Sequence, residues 1–520
     1  MLITPDEPFC QLSWNQVFPL KLEKNREKSY AFGMSTGAKI AKNASWLVVA
    51  MSLSKLIAFL YFYVIARLLG PHVTGVFFFA VSITSIFTVI ADLGVTQVII
   101  RAVASARADA EKLYGAAVRL KLIMTPVAIL VSLGYGLIKG ADAVTMQAIA
   151  LACLVMAADT FHLLMYGSLR GKQNLRPEAL GMLVGQALTA CFSISAAFLG
   201  WGPVGLVGGL LLGSAWNLGW AFFKTRTYDI RAAAVSLADV SALMREALPF
   251  TVAGFAVKTY SYIDTLFIEH FHGITAVGIY AVAYKLTYAL QFIPMTIMAA
   301  LYPAFADAWS KHEHDKLRAN FLGALRFMAF LGFSLSAGLS ALAPRIIPLA
   351  YGDKFLAAIE PFRILPWVLL PIFMDFPIGS LLNATHRAHQ KTIAMVATML
   401  LNVGLNLILV PAYGPLGAAW AGLVSFTLLF LIGVWFTRRD GGWLTMGSIV
   451  LRALVAAGLA WTVWKYLGDV LPFPAAFALG TCTALILAFI FRLLTWQDLR
   501  FVKNLRKPAQ VQADIHEDAS

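Results

Sequence analysis

The stretch that decides the fold is residues 55–101, KLIAFLYFYVIARLLGPHVTGVFFFAVSITSIFTVIADLGVTQVIIR. It reads as an apolar helix carrying one lysine, a tight turn at Gly70-Pro71, a second long apolar helix and a basic end. Crossing the hydrocarbon core of a bilayer takes about 20 residues of helix. The stretch therefore predicts two membrane-spanning helices joined by a short turn.

The same pattern returns 203 positions later, where Lys55 corresponds to Lys258 and Gly70 to Gly273. Repeated helical halves in one membrane chain are typical of transporters, in which two bodies move about a shared site. Further matches at 203 or 212 positions are Gly75 with Gly278, Phe77 with Tyr280, Ala80 with Ala283, Gly167-Ser168-Leu169 with Gly379-Ser380-Leu381, and Gly202-Pro203-Val204-Gly205 with Gly414-Pro415-Leu416-Gly417.

The composition is that of a protein embedded in lipid. Hydrophobic residues make up 59% of the chain and charged residues 13%, whereas soluble domains have about 45–50% apolar and about 25% charged residues. The mean hydropathy is +0.74. Because unpaired backbone groups cannot face hydrocarbon, such apolar runs must be helices. The net charge of +14 does not indicate nucleic-acid binding, since Lys and Arg lie mainly between the apolar runs.

We predict an all-α polytopic membrane protein of about 14 transmembrane helices, with two repeated six-helix lobes around a central cavity plus two C-terminal helices. The predicted division is an N-terminal arm at 1–42, an N-lobe at 43–240, a C-lobe at 241–440, two helices at 441–495 and a tail at 496–520. Alternating connections collect most Lys and Arg on one side, so both termini are predicted to be cytoplasmic. With no signal peptide recognised, the first spanning helix is expected to insert the chain.

Three groups of residues carry a family resemblance: Asp92-Leu93-Gly94 followed by Arg101; Tyr351-Gly352-Asp353-Lys354-Phe355 before Arg363-Ile364-Leu365; and the run Asn383, Asn402, Asn406, Pro411, Gly414 and Gly417-Ala418-Ala419. Together they resemble the polysaccharide-transporter family of the multidrug, oligosaccharidyl-lipid and polysaccharide exporter superfamily, over residues 40–495. That family includes flippases for repeat units linked to undecaprenyl pyrophosphate. The resemblance implies a central cavity lined mainly by helices 1, 2, 7 and 8, with helices 13 and 14 as an appendage that could flank a groove for the polyprenyl tail.

Lysines inside the predicted spans are candidates for function, because an ionised group at the bilayer centre costs about 2.5–3.5 kcal/mol. The repeat should place Lys55 and Lys258 facing one another across the cavity, with Lys285 on the same wall. Ammonium groups suit a pyrophosphate because they act as point charges that demand no single geometry. The alternative is that each lysine pairs with a buried acid or extends to an interface.

Helix 7 carries a polar stripe that is predicted to face water or substrate, because its members share one helical face. Tyrosines on helices 7 and 8 are candidates for stacking on sugar rings, although packing also explains aromatic residues at this spacing. The stripe comprises Thr251, Lys258, Tyr262, Thr265 and Glu269, and the tyrosines are Tyr262, Tyr284 and Tyr288, with Tyr280 beside them.

Candidate acids for coupling to protons or sodium ions are Asp92, Asp264, Glu269 and Asp375. For Asp92, a helix-bending or interhelical hydrogen-bonding role competes with coupling, and Asp159 with His162 reads as a satisfied pair. No metal site and no cofactor are expected, because the short His clusters at 312–314 and 386–389 lack further ligands at suitable spacing.

The sequence thus predicts a flippase, not an enzyme, that moves undecaprenyl-pyrophosphate-linked oligosaccharide across the bacterial cytoplasmic membrane for O-antigen, capsule or exopolysaccharide biosynthesis. Expected partners are the lipid-linked oligosaccharide, membrane lipids, and a polysaccharide polymerase with other assembly proteins, but no nucleic acid. One alternative is a cation-coupled multidrug exporter of the same superfamily, which usually has twelve helices and an acid-dominated cavity. The other is an integral-membrane glycan polymerase or ligase, which normally needs a large outer loop that this sequence lacks.

Overall fold

A computed structural model describes residues 36–228, 233 and 235–494, with side chains from residue 49 onward. The predicted arm at 1–42, apart from its last seven residues, and the predicted tail at 496–520 lie outside the described residues. The described α-helices are α1 Thr36–Asp92, α2 Val95–Ala104, α3 Ala110–Ile138, α4 Ala143–Gly171, α5 Arg176–Phe198, α6 Gly202–Thr227, α7 Leu237–Tyr288, α8 Phe292–Ser310, α9 His314–Ala341, α10 Ala343–Tyr351, α11 Ile359–Ile364, α12 Leu369–Ala384, α13 Ala388–Tyr413, α14 Pro415–Gly441, α15 Trp443–Val470 and α16 Phe473–Ile490.

The two longest helices, α1 and α7, are each divided by a glycine. Gly70 has φ 81° and ψ −178°, and Gly273 has φ 79° and ψ 176°. A side chain is strained at such a φ, so glycine is the residue that the turn requires. The nearly identical angles at two positions 203 residues apart show that the sequence repeat is also a structural repeat.

Each divided helix is a hairpin of two antiparallel arms. Phe62 and Phe78 lie eight residues before and after Gly70, yet the Lys285 Nζ is 5.6 and 5.4 Å from the centroids of their rings. In the second hairpin, the Tyr280 hydroxyl donates a hydrogen bond of 2.7 Å to Asp264 across the turn at Gly273. The chain therefore reverses at both glycines.

The described chain contains twelve segments that are long and apolar enough to cross a membrane. Two of them, Val49–Asp92 and Leu237–Ser310, hold 44 and 74 residues and contain the hairpins. Because each hairpin supplies two crossings, the segments amount to fourteen transmembrane helices. The prediction of a fourteen-helix, all-α membrane protein is confirmed.

The first hairpin packs against α3, α4, α5 and α6, and the second packs against α13 and α14, while the two hairpins also contact each other extensively. The predicted boundary at residue 240 falls inside α7, because Ser236 forms a capping box with Asp239 and so begins the helix earlier. Outside the two groups, α15 contacts α9 and α16. There the Trp464 indole lies against Gly338 and Gly480.

One difference in regularity between the two hairpins lies just before α8. The second hairpin passes into α8 through a 3₁₀ turn at Ala289–Gln291, and Pro294 follows within the first turn of α8. The equivalent residues of the first hairpin, 86–88, are regular α-helix. A short 3₁₀ stretch in the middle of a spanning segment often marks a hinge, and a nearby proline removes a backbone donor.

Candidate functional site

A cavity of about 620 Å³, here called the lysine cavity, lies between the hairpins and α12, α13 and α14. The three predicted lysines, Lys55, Lys258 and Lys285, all line it. The rest of its wall mixes polar, aromatic and apolar side chains, and includes Tyr260, Tyr262, Tyr284, Tyr288, Gln291, Asp375, Ser380, Asn383, Lys391, Met395, Phe426 and Leu429.

Among the residues that the structure describes, no acid forms an ion pair with the three lysines, although Asp159 and Asp92 attract Lys258 from a longer distance. The Lys258 Nζ lies 5.7 Å from the centroid of the Tyr262 ring. Lys285 lies between two phenylalanine rings of the first hairpin, and Lys55 is close enough to repel it electrostatically. Aromatic faces attract a cation without cancelling its charge, so positive charge remains available in the cavity.

The predicted tyrosines Tyr262, Tyr284 and Tyr288 also line this cavity. Tyr284 and Tyr288 stack on each other with centroids 4.2 Å apart and an interplanar angle of 22°. The Tyr284 hydroxyl donates a 3.1 Å hydrogen bond to the carbonyl oxygen of Ser261. These rings form a fixed aromatic wall that is partly occupied by its own stacking.

The predicted polar stripe of α7 does not face one environment. Only Lys258 and Tyr262 reach the lysine cavity. Thr251 donates a 2.7 Å hydrogen bond to the Leu93 carbonyl oxygen, Thr265 is buried, and Glu269 forms a 3.0 Å ion pair with Lys139 of the α3 C-terminal end. The reason is the length of the helix, since residues at different depths meet different neighbours.

The four candidate coupling acids are separated by the fold. Asp375 lines the lysine cavity, where it forms an ion pair with Lys391, the Nζ lying 2.5 Å from Oδ1. Asp264 is buried and accepts hydrogen bonds from Tyr280 at 2.7 Å and Asn406 at 3.1 Å. Asp92, Asp264 and Glu269 are not part of the wall of the lysine cavity.

Asp92 accepts a 2.5 Å hydrogen bond from Thr96 and forms an ion pair with Lys121 of α3. The Lys121 side chain is fully buried. Removing Asp92 would leave the buried Lys121 ammonium group without its partner, which is destabilising. This placement matches the interhelical alternative for Asp92.

Sequence reasoning missed Lys391 as a residue of the cavity, because it lies near the start of α13 beside Arg387 and resembles a headgroup anchor. Its partner Asp375 is 16 residues earlier, on α12. No local spacing connects two residues on successive helices, so only the packing of α12 and α13 reveals the pair.

A second cavity of about 290 Å³, here called the hydroxyl cavity, lies among the first hairpin and α4, α5 and α6. Ser54 lines it, although Lys55, the next residue of the same helix, lines the lysine cavity. Its polar residues are Ser54, Thr84, Ser85, Thr88, Asp159, His162, Gln186, Thr189, Ser214 and Asn217, and its apolar ones include Val155, Met156, Met182 and Leu210.

Within the hydroxyl cavity, Asp159 lies 3.5 Å from His162 Nδ1 and also has Ser214 as a hydrogen-bond partner. The sequence suggested the Asp159–His162 pair but not the cavity around it. The polar residues are distributed over five transmembrane arms, and the largest set on one arm is Thr84, Ser85 and Thr88. The one signal of this cavity in the sequence is that amide and hydroxyl side chains lie inside transmembrane segments.

The turns of the two hairpins are in direct backbone contact, and this contact is here called the seal. A Cβ on Gly75 would collide with the carbonyl oxygen of Ile274, and a Cβ on Gly278 would collide with that of Pro71. The contact is reciprocal, since both pairs are related by 203 positions. His72 Nδ1 and Thr275 Oγ1, another repeat-related pair, lie 3.4 Å apart. Lys55 and Lys258 are each fifteen residues from their glycine turn, or about 22 Å along the helix.

Two family models match the chain. The model described as "Polysaccharide biosynthesis protein" matches residues 40–309, and the model described as "MatE" matches residues 249–408. The first match covers more than half of the chain and includes both hairpins.

Two similar proteins are "Lipopolysaccharide biosynthesis protein WzxC" of Escherichia coli K12, 25% identical over 77% of this chain and 79% of that protein, and "Probable low-salt glycan biosynthesis flippase Agl15" of Haloferax volcanii, 22% identical over 80% and 89%. Among solved structures, "Lipid II flippase MurJ, inward closed conformation" matches with TM-score 0.66 at 14% identity, covering 87% of this chain and 98% of that one. This last likeness shows a shared fold. With its paired hairpins, its fourteen crossings and the family match over residues 40–309, the chain belongs to the polysaccharide biosynthesis protein family.

Proposed function

We propose that this protein is a flippase that moves oligosaccharide linked to undecaprenyl pyrophosphate across the cytoplasmic membrane for surface polysaccharide biosynthesis. The observation that carries the proposal is the cluster of Lys55, Lys258 and Lys285 in one cavity between two repeated hairpins, with no ion-pair partner among the described residues. The names of the relatives, which refer to lipopolysaccharide and glycan biosynthesis and to flipping, support the same substrate class.

The lysines provide several moderate attractions for a pyrophosphate. One pair of unit charges 4 Å apart contributes about 1 kcal/mol in bulk water and about 4 kcal/mol at an effective dielectric constant of 20. Three such groups hold a multiply charged head, yet each contact can break separately as the cavity changes shape. A cycle of capture and release needs this combination, and no covalent chemistry is involved.

We infer the path of the pyrophosphate head from the backbone contact that closes the two hairpin turns. We place the Gly70 and Gly273 turns on the outer side and both termini in the cytoplasm, as the distribution of Lys and Arg predicts. The head then enters the lysine cavity from the cytoplasmic leaflet while the seal is closed. Separation of the two hairpins opens the way outward, and the polyprenyl tail stays in the lipid throughout.

Among the candidate acids, Asp375 is the one best positioned to affect transport. It lies in the cavity wall and holds Lys391 in an ion pair, so an arriving phosphate and Asp375 compete for the same ammonium group. A polysaccharide polymerase on the outer side is the partner we expect to consume the product.

The test is a leaflet translocation assay with a fluorescent undecaprenyl-pyrophosphate-linked sugar in proteoliposomes. Fluorescence in the outer leaflet is quenched by an impermeant reductant, and the protected fraction is followed in time. We expect Lys55→Gln with Lys258→Gln to lower the rate at least tenfold, because about 1.4 kcal/mol of lost attraction already changes an equilibrium constant tenfold.

The matched control is Lys465→Gln, which removes a lysine of α15 that lies 5.2 Å from the Trp461 ring and outside both cavities. It should translocate at the wild-type rate. A wild-type rate in the double variant would remove the lysines from the mechanism. Failure of the unmodified protein to move the lipid, together with export of cationic dyes, would instead identify a multidrug exporter.

A further inference from the structure

The two cavities have opposite chemistry but lie on either side of one helix. The lysine cavity offers four lysines against one aspartate, whereas the hydroxyl cavity offers hydroxyls, amides, a histidine and the carboxylate of Asp159, which attracts Lys258 from a longer distance. A pyrophosphate is repelled by Asp159 and attracted by the lysines, so it cannot be the ligand of the hydroxyl cavity. Resting on the proposed function, we propose that the hydroxyl cavity binds the sugar residues next to the pyrophosphate.

Several polar groups in the hydroxyl cavity have unused hydrogen-bonding capacity. The Ser54 hydroxyl is buried and has no hydrogen-bond partner within the described chain. Thr84 and Thr88 donate to the carbonyl oxygens of Ala80 and Thr84, at 3.1 and 2.7 Å, so their hydroxyl oxygens are left as acceptors. Sugar hydroxyls both donate and accept, and therefore suit such a mixed set.

Gln186 is the clearest ligand candidate in this wall. It is half-buried and lines the cavity, and its amide has no protein partner in the part of the chain that the structure describes. Asn217, in contrast, donates to the Gly213 carbonyl at 3.0 Å and accepts from the Tyr166 hydroxyl at 2.9 Å. Asn217 therefore holds α4 and α6 together, whereas the Gln186 amide is left to bind a ligand.

The geometry allows one head group to occupy both cavities. Ser54 and Lys55 are consecutive residues whose side chains reach different cavities across a helix about 10–12 Å in diameter. A volume of about 290 Å³ approaches the lower end of ligand pockets, about 300 Å³, and Met156 and Met182 provide apolar surface for the faces of sugar rings. The pyrophosphate stays at the lysines while the adjoining sugar turns around the first arm of α1.

This arrangement assigns different tasks to the two halves of the molecule. Charge attraction to the pyrophosphate is the same for every lipid-linked substrate, so the lysine cavity provides affinity without sugar selectivity. Directional hydrogen bonds discriminate, because a polar group that loses its partner in a closed site is left unsatisfied. Selection of the sugar therefore takes place in the hydroxyl cavity.

The experiment measures binding of matched lipids to the full-length protein in nanodiscs. The probes are undecaprenyl pyrophosphate and the same lipid bearing one glucose, galactose or N-acetylglucosamine. We expect the unmodified protein to bind at least one sugar-bearing probe about three- to tenfold more tightly than the bare lipid, the gain that one or two neutral hydrogen bonds provide. Gln186→Leu, which keeps the side-chain volume, should abolish this preference and leave the affinity for bare lipid unchanged.

The matched control is Gln147→Leu, the same substitution at an exposed position of α4 that lines neither cavity. It should keep the preference, whereas Lys258→Gln should weaken binding of all probes equally. Equal affinity of the unmodified protein for bare and sugar-bearing lipid would overturn the assignment, as would a Gln186→Leu variant that keeps the preference or loses affinity for every probe. Failure to bind even the bare lipid would count against the flippase proposal itself.

Discussion

The lysine cavity and the hydroxyl cavity occupy equivalent positions in the two copies of the repeat. Residues that line the first correspond, 203 positions earlier, to residues that line the second: Val257 to Ser54, Tyr284 to Val81, Tyr288 to Ser85 and Gln291 to Thr88. The backbone is shared, and the chemistry of the wall is not. The comparison teaches that a few side chains can give the two copies of a duplicated fold differently lined cavities, without any change of topology.

Lys285 shows how local that division is. Its equivalent in the first hairpin is Ser82, which is buried and donates a 2.7 Å hydrogen bond to the Phe78 carbonyl. One position thus carries a cation in one copy and a satisfied hydroxyl in the other. Lys55, although it belongs to the first hairpin, faces the second copy's cavity, so the charge of both copies is collected on one side.

The largest expected effect on lipid affinity comes from reversing one charge in the lysine cavity. Lys258→Glu replaces an attraction for pyrophosphate with a repulsion, a change of two interactions of about 1 kcal/mol or more each. We expect the affinity for undecaprenyl pyrophosphate to fall at least thirtyfold, as measured in nanodiscs. Asp159→Asn in the hydroxyl cavity should change the same affinity less than threefold, and equal losses in both variants would show that the cavities share one ligand group.

The second prediction returns one residue of the second copy to the type found in the first. Tyr280→Phe introduces the equivalent of Phe77 and removes the 2.7 Å hydrogen bond to the buried Asp264. Leaving a buried acceptor unsatisfied costs about 1–3 kcal/mol, so the thermal unfolding midpoint should drop by a few degrees. Binding of the bare lipid should be unaffected; a lower affinity with no loss of stability would make Asp264 part of the binding site.

The third prediction exchanges the residue that differs most plainly between the copies. Lys285→Ser installs the residue found at position 82 and removes one of four lysines from the cavity wall. The expected loss of affinity for undecaprenyl pyrophosphate is about fivefold, corresponding to about 1 kcal/mol. Thermal stability should stay the same or rise, because a half-buried lysine without an acid partner is removed. An unchanged affinity would limit the anion site to Lys55 and Lys258.

The smallest expected effect concerns Asp375, an acid in the wall of the lysine cavity. Asp375→Asn releases Lys391 from its ion pair and adds a free cation to the wall. The affinity for the bare lipid should increase about threefold, since the attraction is screened by water in an open cavity. Release should slow to a similar degree in the translocation assay, and a weaker affinity would mean that Asp375 is needed to position Lys391.

The fold was largely predictable because lipid restricts the possible structures to helices and because two glycines at equivalent positions announce the repeat. The three lysines could also be predicted, since an intramembrane charge is costly and repeat symmetry brings Lys55 and Lys258 together. The stripe on α7 was wrong beyond Lys258 and Tyr262, because helical periodicity gives a face but not the neighbour at each depth. The hydroxyl cavity and the Asp375–Lys391 pair depend on contacts between separate helices, which no local pattern encodes.

The 3₁₀ turn at Ala289–Gln291 makes the two halves mechanically unequal. It interrupts the second hairpin beside the lysine cavity and just before Pro294, whereas the first hairpin is continuous α-helix at the matching level. Bending is easiest where regular hydrogen bonding is already broken. We therefore expect the half that contains the lysine cavity to bend at this level, where the half that contains the hydroxyl cavity is regular helix.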